Sequence, residues 1–292
     1  MIDRRGGRAL PVLALLGITA IWGWTFVIVR DAVSGYPVAP FLALRFVLAA
    51  LILAPAVFLK GSGIRAGLLP GVVLACAYLT QTIGLRYTTA SKAGLLTGLF
   101  VVLTPVLGYL VLRRPPRGAT VVSVIGALVG TALLVGPLQG GGSREALGDG
   151  LEVATALLLS CHILLLAHLA AKANVLRLAF SQMMAGAILF SGGALFTGEI
   201  PPPPSVWPAI LITGVLASAL AFLVQTFVQQ RISAERTAVI MASEPAFATL
   251  FGIMLAGDHF SLSQAAGAAA ILLAIGYHEI PPALNRRRLA GS

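Results

Sequence analysis

Ten separate runs of about twenty apolar residues fill this chain, and little lies between them. A bilayer core about 30 Å thick needs about 20 helical residues to cross it. The first run, Leu10 to Val29, holds no formal charge. Across all 292 residues 58% are hydrophobic and 10% charged, against roughly 25% charged in ordinary globular chains. A backbone in lipid must satisfy its own hydrogen bonds, which only helices or closed barrels achieve, and runs this long and unalternating are helices. The predicted spans are Leu10–Arg30, Val38–Leu59, Gly67–Tyr87, Ala90–Leu112, Ala119–Leu138, Gly150–Ala171, Leu176–Thr197, Val206–Gln230, Ala234–Ala256 and Ser263–Ala283. Connections this short leave no room for an extramembrane catalytic domain.

The net charge of +10 follows the topology. With the N-terminus inside, Arg4, Arg5, Arg8, Lys60, Arg65, Arg113, Arg114, Arg117, Lys172, Arg177, Arg231, Arg236 and Arg286 to Arg288 are cytoplasmic. The outer side receives only Arg30, Arg86, Lys92 and Arg144, and Arg45 lies within a span. This is a positive-inside pattern with both termini cytoplasmic. The excess charge therefore reads as orientation plus attraction to anionic lipid, not as a nucleic-acid surface. The basic start and first apolar run resemble a signal peptide, but the run is too long and offers no small-residue cleavage site, so it is read as a retained span. Cys76 and Cys161 both fall in spans and are expected to be small buried residues rather than a disulfide.

A glycine-rich linker over residues 139–149 divides the spans five and five. Five is odd, so the second half must cross in the opposite sense to the first. The expected fold is an all-α polytopic membrane protein, with ten transmembrane helices as two inverted five-helix repeats around a central cavity. The first repeat occupies residues 1–138, and the second, with a basic cytoplasmic tail, residues 150–292. The fourth and ninth spans each carry one proline past the middle, Pro105 and Pro245, expected to kink the helix as hinges. Gly94 and Gly98, Gly126 and Gly130, and the Gly267 helix read as close-packing positions. Pro201 to Pro204 form a stiff spacer.

Polar groups inside lipid are costly and are expected to face a cavity. Glu244 lies ten residues past Ala234, so at about 1.5 Å per residue it sits roughly 15 Å deep. A carboxyl there could bind an amino group or carry a proton; alternatively it is a protonated acid holding the kink. Arg45 could pair with a substrate carboxylate or snorkel outward. His162 could bind or shuttle protons, or be a hydrogen-bonded core histidine; no second histidine or carboxylate has metal-ligand spacing with it, so no metal site is expected. Tyr78, Gln81 and Thr82 share a face by helical spacing. Gln182 and Gln225 also need inward partners. Trp22 and Trp24 are expected to shape the cavity wall. Rings beside amides suit an amphipathic solute better than an ion. The chain has no phosphate-cradling loop or catalytic motif, so no cofactor and no enzyme activity are expected.

Four stretches carry a likeness to a known family: Ile21-Trp22-Gly23-Trp24-Thr25-Phe26, Leu42-Ala43-Leu44-Arg45-Phe46, the run from Tyr87 through Gly94 to Pro105, and Ser243-Glu244-Pro245-Ala246-Phe247. In this order they resemble the EamA branch of the drug/metabolite transporter superfamily, and the likeness spans nearly the whole chain. The resemblance implies a transporter that moves small metabolites out of the cell. The reading is a bacterial inner-membrane exporter of a small-molecule substrate by alternating access, with an exporter of other metabolites or drugs, a channel or a membrane-embedded enzyme as alternatives and the oligomeric state, monomer included, left open. The chain is similar in particular to YddG-type exporters of aromatic and other neutral amino acids. One departure stands out. The family often has an acidic residue after each half's proline-bearing helix; here the second half has Asp258, while the first has Arg113-Arg114-Pro115.

Overall fold

In the computed structural model, residues 6–88, 90–113, 115–135, 142–197, 201–256 and 261–279 are described. Asp258, Arg114, the Gly140–Gly141 stretch, Arg4, Arg5 and the tail arginines Arg286 to Arg288 lie outside them, as do the side chains of Arg8 and Lys92. The described residues contain helices and turns but no strand. The helices are α1 (Gly6–Gly35), α2 (Val38–Leu53), α3 (Ile64–Gly84), α4 (Ala90–Thr97), α5 (Phe100–Leu112), α6 (Gly118–Val135), α7 (Ser143–Ala170), α8 (Val175–Thr197), α9 (Trp207–Gly214), α10 (Ala221–Gln229), α11 (Ala234–Met241), α12 (Glu244–Ala256) and α13 (Leu262–Glu279).

Among the described residues, six stretches are long and apolar enough to cross a membrane: Leu10–Gly35, Val38–Phe58, Ile64–Gly84, Ser143–Ala170, Val175–Ala194 and Trp207–Gln229. Three shorter apolar helices cover Phe100–Val111, Gly118–Leu133 and Ala265–His278. The chain is a multi-pass membrane protein, and its surface is inverted accordingly. Large apolar side chains such as Leu51, Leu110, Val111, Ile125, Leu272 and Leu273 face outward, while Thr19, Arg45, Glu152, His162, Gln182 and Gln225 are buried. Such an apolar outside is stable only when the surrounding solvent is hydrocarbon.

Several boundaries differ from the sequence expectation. The linker expected over residues 139–149 is helical from Ser143 onward. Arg144, Glu145, Ala146 and Leu147 are good helix formers, and Glu145 meets the positive end of the helix dipole. The fourth and ninth runs are each two helices, broken at Gly98-Leu99 and at Ala242-Ser243. Both breaks are tightened turns, with Leu99 N bonded to Leu96 O and Ser243 N to Ile240 O. Pro245 is the second residue of α12, the place where a missing amide hydrogen costs least. Pro105 instead lies inside α5. The first interruption thus ends six residues ahead of Pro105 rather than at it, and α5 continues through the proline. In the eighth run, Val215–Leu220 forms a π-helical turn between α9 and α10.

The helices pack as α2 on α8, α3 on α7 and α8, α1 on α12 and α10, α5 on α7, and α6 on α13. A Cβ added to Gly130 would lie 2.7 Å from the Gly267 carbonyl oxygen, so α6 and α13 approach as closely as backbones allow. Gly94 has open space where a Cβ would be and is not a close-packing position. Cys76 is exposed on the outer face of α3, contrary to the expectation of burial, while Cys161 is half-buried.

Candidate functional site

Three helix faces and one helix break converge on one interior cavity. On α1, Trp22, Thr25, Phe26 and Val29 follow the i, i+3, i+4, i+7 spacing that puts them on one face. α3 contributes Tyr78, Gln81 and Thr82, and α7 contributes Thr155, Leu159 and His162. Arg45 enters from α2, Phe222 and Gln225 from α10, and Met241 and Glu244 from the two sides of the break between α11 and α12. The cavity encloses about 650 Å³ of atom-free space, yet it is narrow: the centre of a water molecule has about 50 Å³ in which to move. That suffices for water but not for a larger solute without widening.

Seven of the eight residues expected at the cavity line it together: Trp22, Arg45, Tyr78, Gln81, His162, Gln225 and Glu244. Trp24 does not. Two residues turn a helix by about 200°, so Trp24 points away from the Trp22 face and packs its ring against Phe251, 6.4 Å between centroids. Gly23 between them touches the second break: a Cβ there would lie 2.7 Å from Ala248 N and 3.0 Å from the Glu244 carbonyl oxygen. Its absence lets α1 seat directly on α12.

The wall is aromatic. Phe222 stands 5.5 Å from Trp22, 5.9 Å from Tyr78 and 5.8 Å from His162, measured between ring centroids. The sequence reading passed over Phe222, although its i, i+3 relation to Gln225 places it on the same face. The π turn was also unforeseen, and it anchors two wall residues. Trp22 Nε1 donates to Ala217 O at 2.9 Å, and Arg45 Nε donates to Ser218 Oγ at 2.7 Å. Such turns recur at functional sites because they free backbone groups and re-aim side chains. The Arg45 guanidinium also stacks over the Tyr78 ring, 4.3 Å from its centroid, a contact strengthened by desolvation.

His162 is held by a polar chain. Gln182 Nε2 donates to Leu178 O at 3.2 Å and to Thr226 Oγ1 at 3.3 Å. Its Oε1 must therefore accept from His162 Nε2, 2.7 Å away. This assigns the proton to Nε2 and leaves Nδ1 as the lone-pair nitrogen. Gln225 Nε2 donates to Gln229 Oε1 at 3.1 Å, while Gln225 Oε1 is buried without a hydrogen-bond partner. Glu244 is 9% exposed. Arg45 and Glu244 thus face the same cavity, and no ion pair links them among the described residues.

The buried acid that sequence reading missed is Glu152, fully enclosed on α7. Thr97 Oγ1 donates to its Oε2 at 2.8 Å, and its Oε1 has no hydrogen-bond partner. The available signal was its position, two residues inside the predicted sixth span.

The profile of the EamA-like transporter family matches residues 9–136 and again residues 146–277. An uncharacterized transporter of Archaeoglobus fulgidus is 33% identical over 280 residues, covering 94% of this chain and 89% of its own length. A solved crystal structure of a protein superposes with a TM-score of 0.78 at 20% identity, covering 97% of this chain and 99% of that one; at this identity the likeness is one of fold. Family match, relative and apolar helices agree, and the chain is a membrane transporter belonging to the EamA-like transporter family.

Proposed function

We propose that this transporter exports small amphipathic metabolites, above all neutral and aromatic amino acids, by alternating access. The observation that carries the reading is that Arg45 and Glu244 line one aromatic-walled cavity without being paired to each other. A zwitterion presents a carboxylate and an ammonium group. Arg45 is suited to the first through directed N–H donors, Glu244 to the second. Trp22, Tyr78 and Phe222 would take up an apolar or aromatic side chain. Gln81 and Gln225 add neutral hydrogen-bonding groups.

The narrowness of the cavity fits a closed intermediate that must open to admit a solute. We read the chain as ten crossings in two inverted halves, residues 1–138 and 150–292, with both termini cytoplasmic in a bacterial inner membrane and the monomer as the working unit. Two observations support the division into two related halves. The family profile matches twice. The helix contacts also recur when the halves are exchanged: α1 against α12 answers α5 against α7, and α3 against α7 answers α1 against α10.

Counterflow in proteoliposomes tests the reading. Vesicles preloaded with unlabelled tryptophan, phenylalanine or leucine are expected to accumulate the labelled amino acid, with saturation. Flux that never saturates would replace the carrier by a channel. Absence of counterflow for every amino acid, with counterflow for another metabolite class, would remove the substrate assignment and leave the transporter.

A further inference from the structure

Beyond the central cavity, α7 carries a line of acids that the transport reading does not use. Glu145, Asp149 and Glu152 follow i, i+4, i+7 spacing, so they share one helix face. Thr155, one turn beyond Glu152, lines the central cavity. At its other end Glu145 lines a second, open hollow with Arg30, Ser34, Arg86 and Thr88. Leu85 lines both hollows, so they come close together beside the acidic face of α7.

Glu152 is the enclosed member of this line, with a relative exposure of 0%. Its surroundings are built for it. A Cβ on Gly84 of α3 would lie 2.6 Å from Glu152 Oε1, so only glycine there leaves room for the carboxyl. Thr97, the last residue of α4, donates to Oε2 at 2.8 Å. Oε1 is buried and has no hydrogen-bond partner. A carboxylate with one oxygen unanswered in a water-poor site is costly as an anion, and a proton removes that charge. The ionisable groups near enough to act on it electrostatically are Asp149 and Glu244, both acidic. Of the helices packed on α7, α3 presents Gly84 here and α4 presents Thr97. The ionisable residues that α3, α5 and α11 carry elsewhere are Arg65, Cys76 and Tyr78, then Tyr109, and Glu235 and Arg236 respectively; α10 has none. The side chain of Lys92, on α4, lies outside the described residues.

We propose that Glu152 is a proton-binding residue, reached from the second hollow along Glu145 and Asp149, and that its bond to Thr97 passes its protonation state to the break between α4 and α5. The step is a plain proton transfer: a hydronium ion gives its proton to the Glu152 carboxylate, leaving water and the neutral acid. Loss of the negative charge weakens the Thr97 hydroxyl's charge-assisted bond. That loosens the end of α4 from α7 near Leu85, which lines both hollows. If the second hollow opens outward, as the topology proposed above requires, proton entry would accompany solute exit. Only that direction rests on the transport reading.

The test uses the full chain in lipid nanodiscs, with protons as the only ligand. Infrared difference spectra across a pH titration are expected to show a carboxylic-acid carbonyl band that titrates. The band is lost in Glu152→Gln, kept in Glu244→Gln, and moved in frequency by Thr97→Val, which removes the hydroxyl without adding charge. Folding of each variant is checked by its thermal unfolding in the same nanodiscs. Should Glu152→Gln leave every titrating band in place, the proposal falls. It also falls if the Glu152 carboxyl never changes ionisation. Counterflow separates this from the substrate reading. A Glu152-dependent band without amino-acid counterflow keeps the proton site and removes the substrate; counterflow insensitive to pH, with no Glu152 band, does the reverse.

Discussion

At the break between α11 and α12 the chain brings its own carboxyl. Glu244 opens α12, Pro245 follows, and the acid lines the central cavity. At the break between α4 and α5 the residue opening the second helix is Phe100, which is buried. There the carboxyl comes from α7, where Glu152 is bonded to Thr97 at the end of α4. Both breaks are tight turns of the same kind, yet one acid faces the cavity and the other is enclosed beside it. The difference teaches that a helix interruption makes a place for a charge without deciding what the charge does. Exposure to the cavity suits Glu244 to a solute's ammonium group; enclosure suits Glu152 to a proton.

The sharpest test of that division is Glu244→Gln. A charge-assisted hydrogen bond contributes about 1.5–3 kcal/mol, so this change is expected to weaken amino-acid binding by roughly 10- to 100-fold. The half-saturation of counterflow reads it directly. Glu152→Gln is expected to leave that constant unchanged and to act only on pH dependence. If both variants weaken solute binding alike, the two acids form a single site and the comparison is void.

Next in size is the packing at each break. Gly23 is pressed against Ala248 N and the Glu244 carbonyl, whereas the space at Gly94, in α4 ahead of the first break, is open. Gly23→Ala is expected to destabilise the protein by about 1–3 kcal/mol through overpacking. Gly94→Ala should be neutral or raise stability by up to about 1 kcal/mol through helix propensity. Thermal unfolding in nanodiscs separates them, and equal losses would mean that both breaks are seated against a neighbouring backbone.

The smallest effect is expected at Ser243. Its hydroxyl is 3.0 Å from Thr19 Oγ1 and donates to Ile240 O at 2.8 Å, tying the second break to α1. Ser243→Ala should cost about 1 kcal/mol, the net contribution of an ordinary hydrogen bond, with solute affinity unchanged. A large loss of transport instead would place the hydroxyl in the solute's path.

The amino-acid sequence by itself determined that this chain is a bundle of apolar helices in lipid, and it named most of the polar groups that meet inside. Hydrophobicity and helix length are local sums, and polar side chains in lipid have few places to go. For that reason Arg45, Tyr78, Gln81, His162, Gln225 and Glu244 were legible before any coordinates. Only the tertiary structure decided between Trp22 and Trp24, because an unbroken apolar run carries no polar face to mark its inner side. It alone put the first break ahead of Pro105, made the π turn that holds Arg45 and Trp22, and enclosed Glu152 between Thr97 and Gly84. Those outcomes depend on which neighbouring backbone comes close enough to accept a hydrogen bond or exclude a Cβ, and closeness between helices distant in the chain cannot be read along it.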